Sequence, residues 1–468
     1  MIAEREEPMR FMKWVVPLLA FMMGALPAAA QVRQVSLEEA VRLGLEHSPE
    51  IRMARPDVAK AEEEKLSAGL AMGPRLGIEA GIQYWDHATK VKLIDAGSMT
   101  LTADQIAAIQ GLLGDGFVSL LSKLGDPMET QKRVTSSFNI QAVQPLTPLY
   151  SLASLYRMQG AALEATKLEV VAKQQQVKFR IADTFFKLMS ALRLTEVTQQ
   201  AVEQVQAHLK TAKAYNEAGL VGRDDVLRAE TMLAKIEDQH NQALSGVAMA
   251  RAGLAVQMGI SWSTMLMPVG DYPDPPPEIS LSEEKAMDKA LAQRPEFGAV
   301  EWRGRMADEG YQASIGALIP TIAGIFRYTN FRGSTFQREN SYFVGAVLTW
   351  NFFDFGRDFL KMKSVGHDVE KAREGLSGVR DQIRLDVKRA WLDMTTARSS
   401  LAYNRSAIVS ADEALRVVTR KYEASTATSV EVLDAQSALN QARGGYAVAL
   451  YTYYSAYANI ERATGGAM

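Results

Sequence analysis

Apolar positions between Ser151 and Ala214 recur with a helical period, and the stretch holds no proline and only one glycine. At a rise of about 1.5 Å per residue it predicts one helix of roughly 95 Å, longer than an ordinary domain. Ile181, Leu188, Val202 and Leu209 fall on a seven-residue ladder with Thr195 as its polar rung, a pattern that asks for partner helices. The ladder returns as Val387, Met394, Leu401, Ile408, Leu415 and Tyr422, each 206 positions after its counterpart. A short break and a second helical run follow each copy, Asp224–Met258 and Ser429–Ala463. Asp225, Val226, Leu227 and Ala229 are answered at the same offset by Glu431, Val432, Leu433 and Ala435. Two long helical hairpins, 151–258 and 357–464, are therefore expected.

The rest of each half is also duplicated. Ser36 and Glu39 make a capping-box pattern for a helix ending near His47, and Pro49 starts another that runs to about Met72. Pro49, Glu50, Ala61, Glu63, Ala71 and Pro74 recur 246 positions later as Pro295, Glu296, Ala307, Glu309, Ala317 and Pro320, with Ser280 and Glu283 as the second cap. Partial alternation then predicts four strands in two hairpins: Arg75–Trp85, Thr135–Leu146, Thr321–Phe331 and Ser341–Phe353. Aromatics gather near the strand ends: Tyr84, Trp85, Tyr328, Phe331, Tyr342, Phe343, Trp350, Phe352 and Phe353. They suit either the core of a soluble sheet or the interfacial girdle of a membrane barrel.

The two offsets differ by 40, which puts an insert of that length in the first strand connection, within 86–134. Ile106, Ile109, Leu112, Leu113, Phe117, Leu120, Leu121 and Leu124 predict a short amphipathic helix there, interrupted by Gly111, Gly114 and Gly116; it is either decoration, a cap on a pore mouth or a contact with a neighbour. Residues 271–278, rich in proline, read as an exposed linker between repeats 31–270 and 279–468.

Composition narrows the setting. Fifty-two basic residues balance 54 acidic ones, so no global field points to nucleic acid, and with no cysteine there is neither a disulfide nor a thiol to carry a lipid. Arg10 and Lys13 precede an apolar run, Trp14 to Leu26, and the small residues Ala28, Ala29 and Ala30. Residues 1–30 thus read as a secretory signal cleaved before Gln31, and the acidic opening points to Met9 or Met12 as the true start. No later stretch is apolar enough for a spanning helix, so a membrane crossing requires a closed barrel. The signal and strands near the ten residues of a tilted span favour the girdle. Four strands cannot close a barrel, which takes about eight, so oligomers are expected.

Several segments meet a known pattern: Ser36-Leu-Glu-Glu-Ala40 with Ser48-Pro49-Glu50, Gln144-Pro-Leu-Thr-Pro-Leu149, Leu348-Thr-Trp-Asn-Phe-Phe-Asp-Phe-Gly356, and Asp225-Val-Leu with Glu431-Val-Leu-Asp-Ala435. In this order, within a duplication, they make the mature chain resemble the TolC family of outer-membrane efflux channels. The resemblance implies a mainly α fold with a small β part. The duplicated hairpins would form a periplasmic α-barrel, and four strands per protomer would contribute to a trimeric 12-stranded transmembrane β-barrel. It also implies contact with outer-membrane lipid, and partners in a periplasmic adaptor protein and an inner-membrane pump.

The two breaks, 214–223 and 422–428, would then form the periplasmic tip. Gly219 and Leu220, with Val221 beside them, match the small-apolar pair that the family presents to adaptors; alternatively Gly219 only ends a helix in a left-handed conformation. Glu431 and Asp434, three apart, match acidic positions of the family's narrow entrance, where three copies of each carboxylate would attract cations. Without the resemblance they read as a solvated helix start. The family's Arg–Asp latch is missing, its positions being Ala427 and Asn216. Tyr422 remains, and a Tyr422–Asn216 hydrogen bond is one substitute.

No enzyme is legible. The histidines His47, His87, His208, His240 and His367 lack metal-ligand spacing and read as ordinary surface or packing residues. Asp224 beside Asp225 reads as a helix N-cap, and the 111–116 glycines lack the Lys-Ser/Thr of a phosphate loop. No cofactor is expected. The sequence points to a passive exit duct of a tripartite efflux system; the alternatives are the outer-membrane part of type I protein secretion and a non-conducting coiled-coil structural or adhesive protein.

Overall fold

A computed structural model of the chain describes residues 32–92, 102–125, 127–270, 272–274, 276 and 281–466. The expected signal, 1–30, lies outside the described residues, as does Ser280. Two compact units divide the chain, one from 1–58, 166–300 and 376–468, the other from 59–165 and 301–375.

The first unit opens on strand β1 (Arg33–Val35) and helix α1 (Leu37–His47), whose N-cap Ser36 accepts the Glu39 amide hydrogen through its hydroxyl. Helix α2 (Pro49–Leu70) starts here and runs on into the second unit. β1 pairs in parallel with a second short strand, β5 (Leu266–Pro268), a pairing with no signature in the sequence.

The long helix α5 (Leu149–Glu217) has 69 residues, and its return α6 (Arg223–Gln257) has 35. The second copy is α9 (Arg357–Glu423) with α10 (Ser429–Ala463). Arg223 to Ser429 and Gln257 to Ala463 are each 206 positions apart, so the offset read from the ladder recurs in the helix ends. Ile181, Leu188, Val202, Val387, Met394, Leu401 and Tyr422 are buried. Thr195 bonds back to the Ala191 carbonyl, which lets a polar rung sit in the seam. Around the middle of α5, Ile181, Phe185, Phe186 and Leu188 pack with Leu254, Met258 and Tyr454 in one core. A second core joins Ile383, Val387 and Met394 to Ile460 and to helix α7 (Glu283–Gln293).

Two sequence readings fail at caps. Ser282, not Ser280, caps α7 and accepts from the Lys285 amide, because the helix begins at Glu283. Gly222, not Asp224, is the N-cap of α6, and Asp224 sits in its first turn. The linker is also less exposed than its prolines suggest: Tyr454 donates to the Pro273 carbonyl at 2.6 Å, Tyr446 donates to Asp274, and Pro276 is buried.

The second unit is built on an antiparallel sheet of β2 (Arg75–Tyr84), β4 (Met128–Pro145), β6 (Thr321–Ser334) and β7 (Asn340–Thr349), paired in that order. The two predicted hairpins are thus joined through β4 and β6. A short β3 (Thr89–Val91) pairs with the far end of β4. The insert carries two helices rather than one, α3 (Ala103–Leu113) and α4 (Asp115–Gly125), because Gly114 adopts φ +72° between them. Helix α8 (Pro295–Ile315) leads to β6 and belongs to this unit from residue 301. Among the described residues no helix is long and apolar enough to cross a membrane.

Candidate functional site

On β2 the alternation is strict. Leu76, Ile78, Ala80, Ile82 and Tyr84 point one way, and Arg75, Gly77, Glu79, Gly81 and Gln83 the other. The register carries the apolar face across the sheet: Ile78 pairs with Ile140, Ile140 with Tyr328, and Tyr328 with Tyr342. Ala80 likewise pairs with Phe138, and Phe326 with Val344. Among the described residues this face is left open: Leu76 is 79%, Ile78 72%, Ile82 81% and Val344 71% exposed. The opposite face gathers Glu79, Asn139, Gln141, Arg327 and Thr329, with Arg327 donating to Gln141 at 3.3 Å.

Aromatics stand at both ends of the apolar face. Tyr84 ends β2 and Tyr342 lies near the start of β7; Trp85, next after Tyr84, turns to the other face and donates its indole N–H at 3.2 Å to Thr135, the register partner of Gln83. Tyr328 donates to Asn340 at 2.8 Å. At the other end Trp350, Phe352 and Phe353 stand exposed just beyond β7, whose last residue is Thr349. Phe331 and Phe343 depart from the expected belt, since their register partners Ser137 and Arg327 put them on the polar face. Among the described residues β2 and β7 each lack a partner on their outer side. An unpaired edge in lipid leaves a row of backbone groups unsatisfied.

The hairpin ends form the second region. α5 closes with the Gly219 amide bonded to the Asn216 carbonyl and the Leu220 amide to the Tyr215 carbonyl, a Schellman motif with Gly219 at φ +72°. α9 closes identically 206 positions later, from Ser425 to Tyr422 and from Thr426 to Lys421, but Ser425 holds the left-handed position at φ +57°. Gly219 therefore does end a helix, and it also leaves Leu220 62% exposed with Val221 half-buried beside it. Asn216 does not reach Tyr422: its amide donates to the Val221 carbonyl at 2.9 Å and holds its own turn. The Tyr422 ring instead stacks on Tyr215 at 5.7 Å, with its hydroxyl buried and unpartnered.

Glu431 is the third residue of α10 and closes a capping box. Its carboxylate accepts from the Thr428 amide at 3.3 Å and hydroxyl at 3.1 Å, and the Thr428 hydroxyl accepts from the Glu431 amide. Both Glu431 and Asp434 are exposed. Asp434 borders a hollow of about 480 Å³ between α6 and α10, floored by Leu227, Met232 and Leu433.

The family model described as outer membrane efflux protein matches residues 40–259 and 286–466. The chain belongs to this family. The outer membrane efflux protein BepC of Brucella suis is 23% identical over 348 residues, covering 71% of this chain and 74% of its own. Outer membrane protein TolC of Escherichia coli is 24% identical over 314 residues, 62% of either chain. The solved structure of VceC from Vibrio cholerae superposes with a TM-score of 0.73 at 16% identity, covering 92% of this chain and 96% of that one. The protein is an outer-membrane efflux channel of the TolC family, and no cysteine is present to anchor it through lipid.

In this family member the tip holds one residue that sequence reasoning passed over. His208 of α5 is buried, its Nε2 is 2.8 Å from the Ser429 hydroxyl at the start of α10, and its ring lies 5.2 Å from that of Tyr422 on α9. Burial holds its pKa below the ordinary 6.5, against the opposing charge of Asp225 on α6. Groups from all four hairpin helices thus gather around one imidazole. Its only signal in sequence is the offset: Ala414 answers His208, so the duplication breaks there.

Proposed function

We propose that this efflux-family chain is the passive exit duct of a tripartite export system, active as a trimer whose twelve strands close one barrel, β2 of each protomer pairing with β7 of the next. The observation that carries the reading is the sheet: one face apolar and exposed, the other polar, both edges open. A soluble scaffold gains nothing by leaving Leu76, Ile78 and Ile82 in water, whereas a barrel wall puts them in lipid and sets Glu79, Asn139 and Arg327 toward an aqueous lumen. The aromatics at both ends suit the two interfaces.

At the hairpin ends, three copies of Glu431 and Asp434 around the axis form a cation-attracting entrance. Tyr422 and Asn216 contribute separately, the first by stacking between the hairpins and the second by holding the turn that presents Gly219, Leu220 and Val221. That turn and the apolar hollow between α6 and α10 receive a periplasmic adaptor, which links the duct to an inner-membrane pump. Energy comes from that pump, so the duct itself catalyses nothing.

The test is single-channel conductance of purified trimer in a planar bilayer, comparing wild type with Glu431→Gln/Asp434→Asn. Glutamine keeps the capping pattern while removing charge, so a change reads the entrance and not the helix start. A small cation-selective conductance that loses its selectivity in the variant is expected. Folded trimer that conducts nothing overturns the duct.

A further inference from the structure

Among the described residues the helical insert leaves much of its apolar surface uncovered by its own protomer. Of the described side chains of α3 and α4 only Ile106 and Ile109 are half-buried, while Leu112 is 84%, Leu113 60% and Leu120 53% exposed. Two eleven-residue helices do not hold together in water by themselves, so this apolar face has to be covered.

Topology says by what. The insert hangs from β2, β3 and β4, on the sheet edge that ends in β2. If β2 pairs with β7 of the neighbour, as the trimeric duct requires, the neighbour's β6–β7 turn arrives within a strand spacing of the insert's stem. That turn is built to present an apolar group: Thr335 ties it back to β4 through the Glu129 and Thr130 carbonyls, and Phe336 stands 67% exposed at its tip. Charge agrees, since Asp104 and Asp115 open the two helices while Arg338 follows Phe336. A lipid surface fits less well, because an interfacial helix carries a basic polar face and the described residues 102–125 hold Lys123 as their one cation against those two acids.

We infer that the α3–α4 insert is an intersubunit clasp: its Leu112, Leu113 and Leu120 face receives Phe336 from the β6–β7 turn of a second copy of this chain, with Arg338 set against Asp104 and Asp115. The inference rests on the trimeric reading and adds a contact that barrel closure alone does not need. Three such clasps ring the end of the barrel where the strand connections lie.

The absence of native cysteine makes the test direct. Leu113→Cys/Phe336→Cys is assembled in outer membranes, treated with a short bismaleimide and run on denaturing gels, with each single variant in parallel. Both positions are exposed, so folding is undisturbed. Most of the double variant should shift to covalent dimer and trimer, and neither single variant should. Four results overturn the clasp: no linkage although both thiols take a maleimide label, a loop closed within one monomer, dimers from Leu113→Cys alone, or a Leu113 spin label relaxed by a lipid-soluble agent. Light scattering of the same protein in detergent separates the two readings, since a trimer without linkage removes only the clasp and no trimer removes the duct as well.

Discussion

His208 and Ser429 stand 221 positions apart and share a buried hydrogen bond, so the imidazole reports on contact between the two hairpins. The titratable groups acting on it are Asp225 from α6 and Tyr422 from α9, whose ring in turn stacks on Tyr215 of α5. Because burial lowers the folded-state pKa, the unfolded or opened tip binds the proton more readily. Closure is therefore fully supported above about pH 6.5, and the support falls as pH drops from there toward the folded value. Amide exchange at Leu220 and Thr426, corrected for intrinsic rates, should quicken between about pH 7.5 and 5.5 in wild type and stay flat in His208→Gln. A wild-type tip indifferent to pH would sink the idea. A lone histidine in sequence carries no such message, because its neighbours come from three other helices and only the fold assembles them. Asn216 teaches the same lesson in reverse: the offset that aligns it with Tyr422 on a duplicated helix says nothing of which carbonyl its amide will find.

At the scale of elements the duplication was the most legible property, since a ladder repeated at a fixed offset is forced by seam packing and survives divergence. Caps were less so. Ser280-x-x-Glu283 is the better motif, yet α7 begins at Glu283 and Ser282 caps it. Charge pairing diverged outright between the copies. In the first half Arg180 of α5 meets Glu50 in an exposed pair; 206 positions on stands Asp386, which accepts from Arg294 at 2.9 Å and from Arg462 at 3.0 Å. Burial pushes the Asp386 carboxyl up, but the two guanidinium groups outweigh it and leave the pKa lowered. Its contribution is thus present above the ordinary carboxylate range and lost as pH falls below it. Asp386→Asn leaves Arg462 without a carboxylate and Arg294, 7% exposed, with Glu296 alone. A loss of about 2 kcal/mol is expected, discounted for the partial exposure of Asp386, against less than about 1 kcal/mol for Glu50→Gln at the exposed pair. Denaturant unfolding of both variants checks the contrast, and equal costs would refute it.

For the whole molecule the decisive pattern was the faintest in sequence. A barrel strand turns its apolar side chains outward, each segment contributes only a few of them, and in β2 Ala80, Gly77 and Gly81 blur the alternation. The pattern strengthens only when the register stacks four strands and their apolar positions fall on one side. Ala80 and Asn139 give the sharpest contrast, since Ala80 pairs with Phe138 on the apolar face while the adjacent Asn139 pairs with Glu79 on the polar one. In a barrel wall Ala80→Arg puts a charge into hydrocarbon at a cost of about 2–4 kcal/mol near the midplane, and Asn139→Arg puts the same charge into the lumen. The first should sharply reduce heat-modifiable protein in the outer membrane; the second should assemble normally and shift the pore toward anions. A soluble sheet predicts another result, because Ala80 is exposed and an arginine there would meet only water. Equal assembly of the two variants would therefore remove the lipid from that face, and with it the barrel.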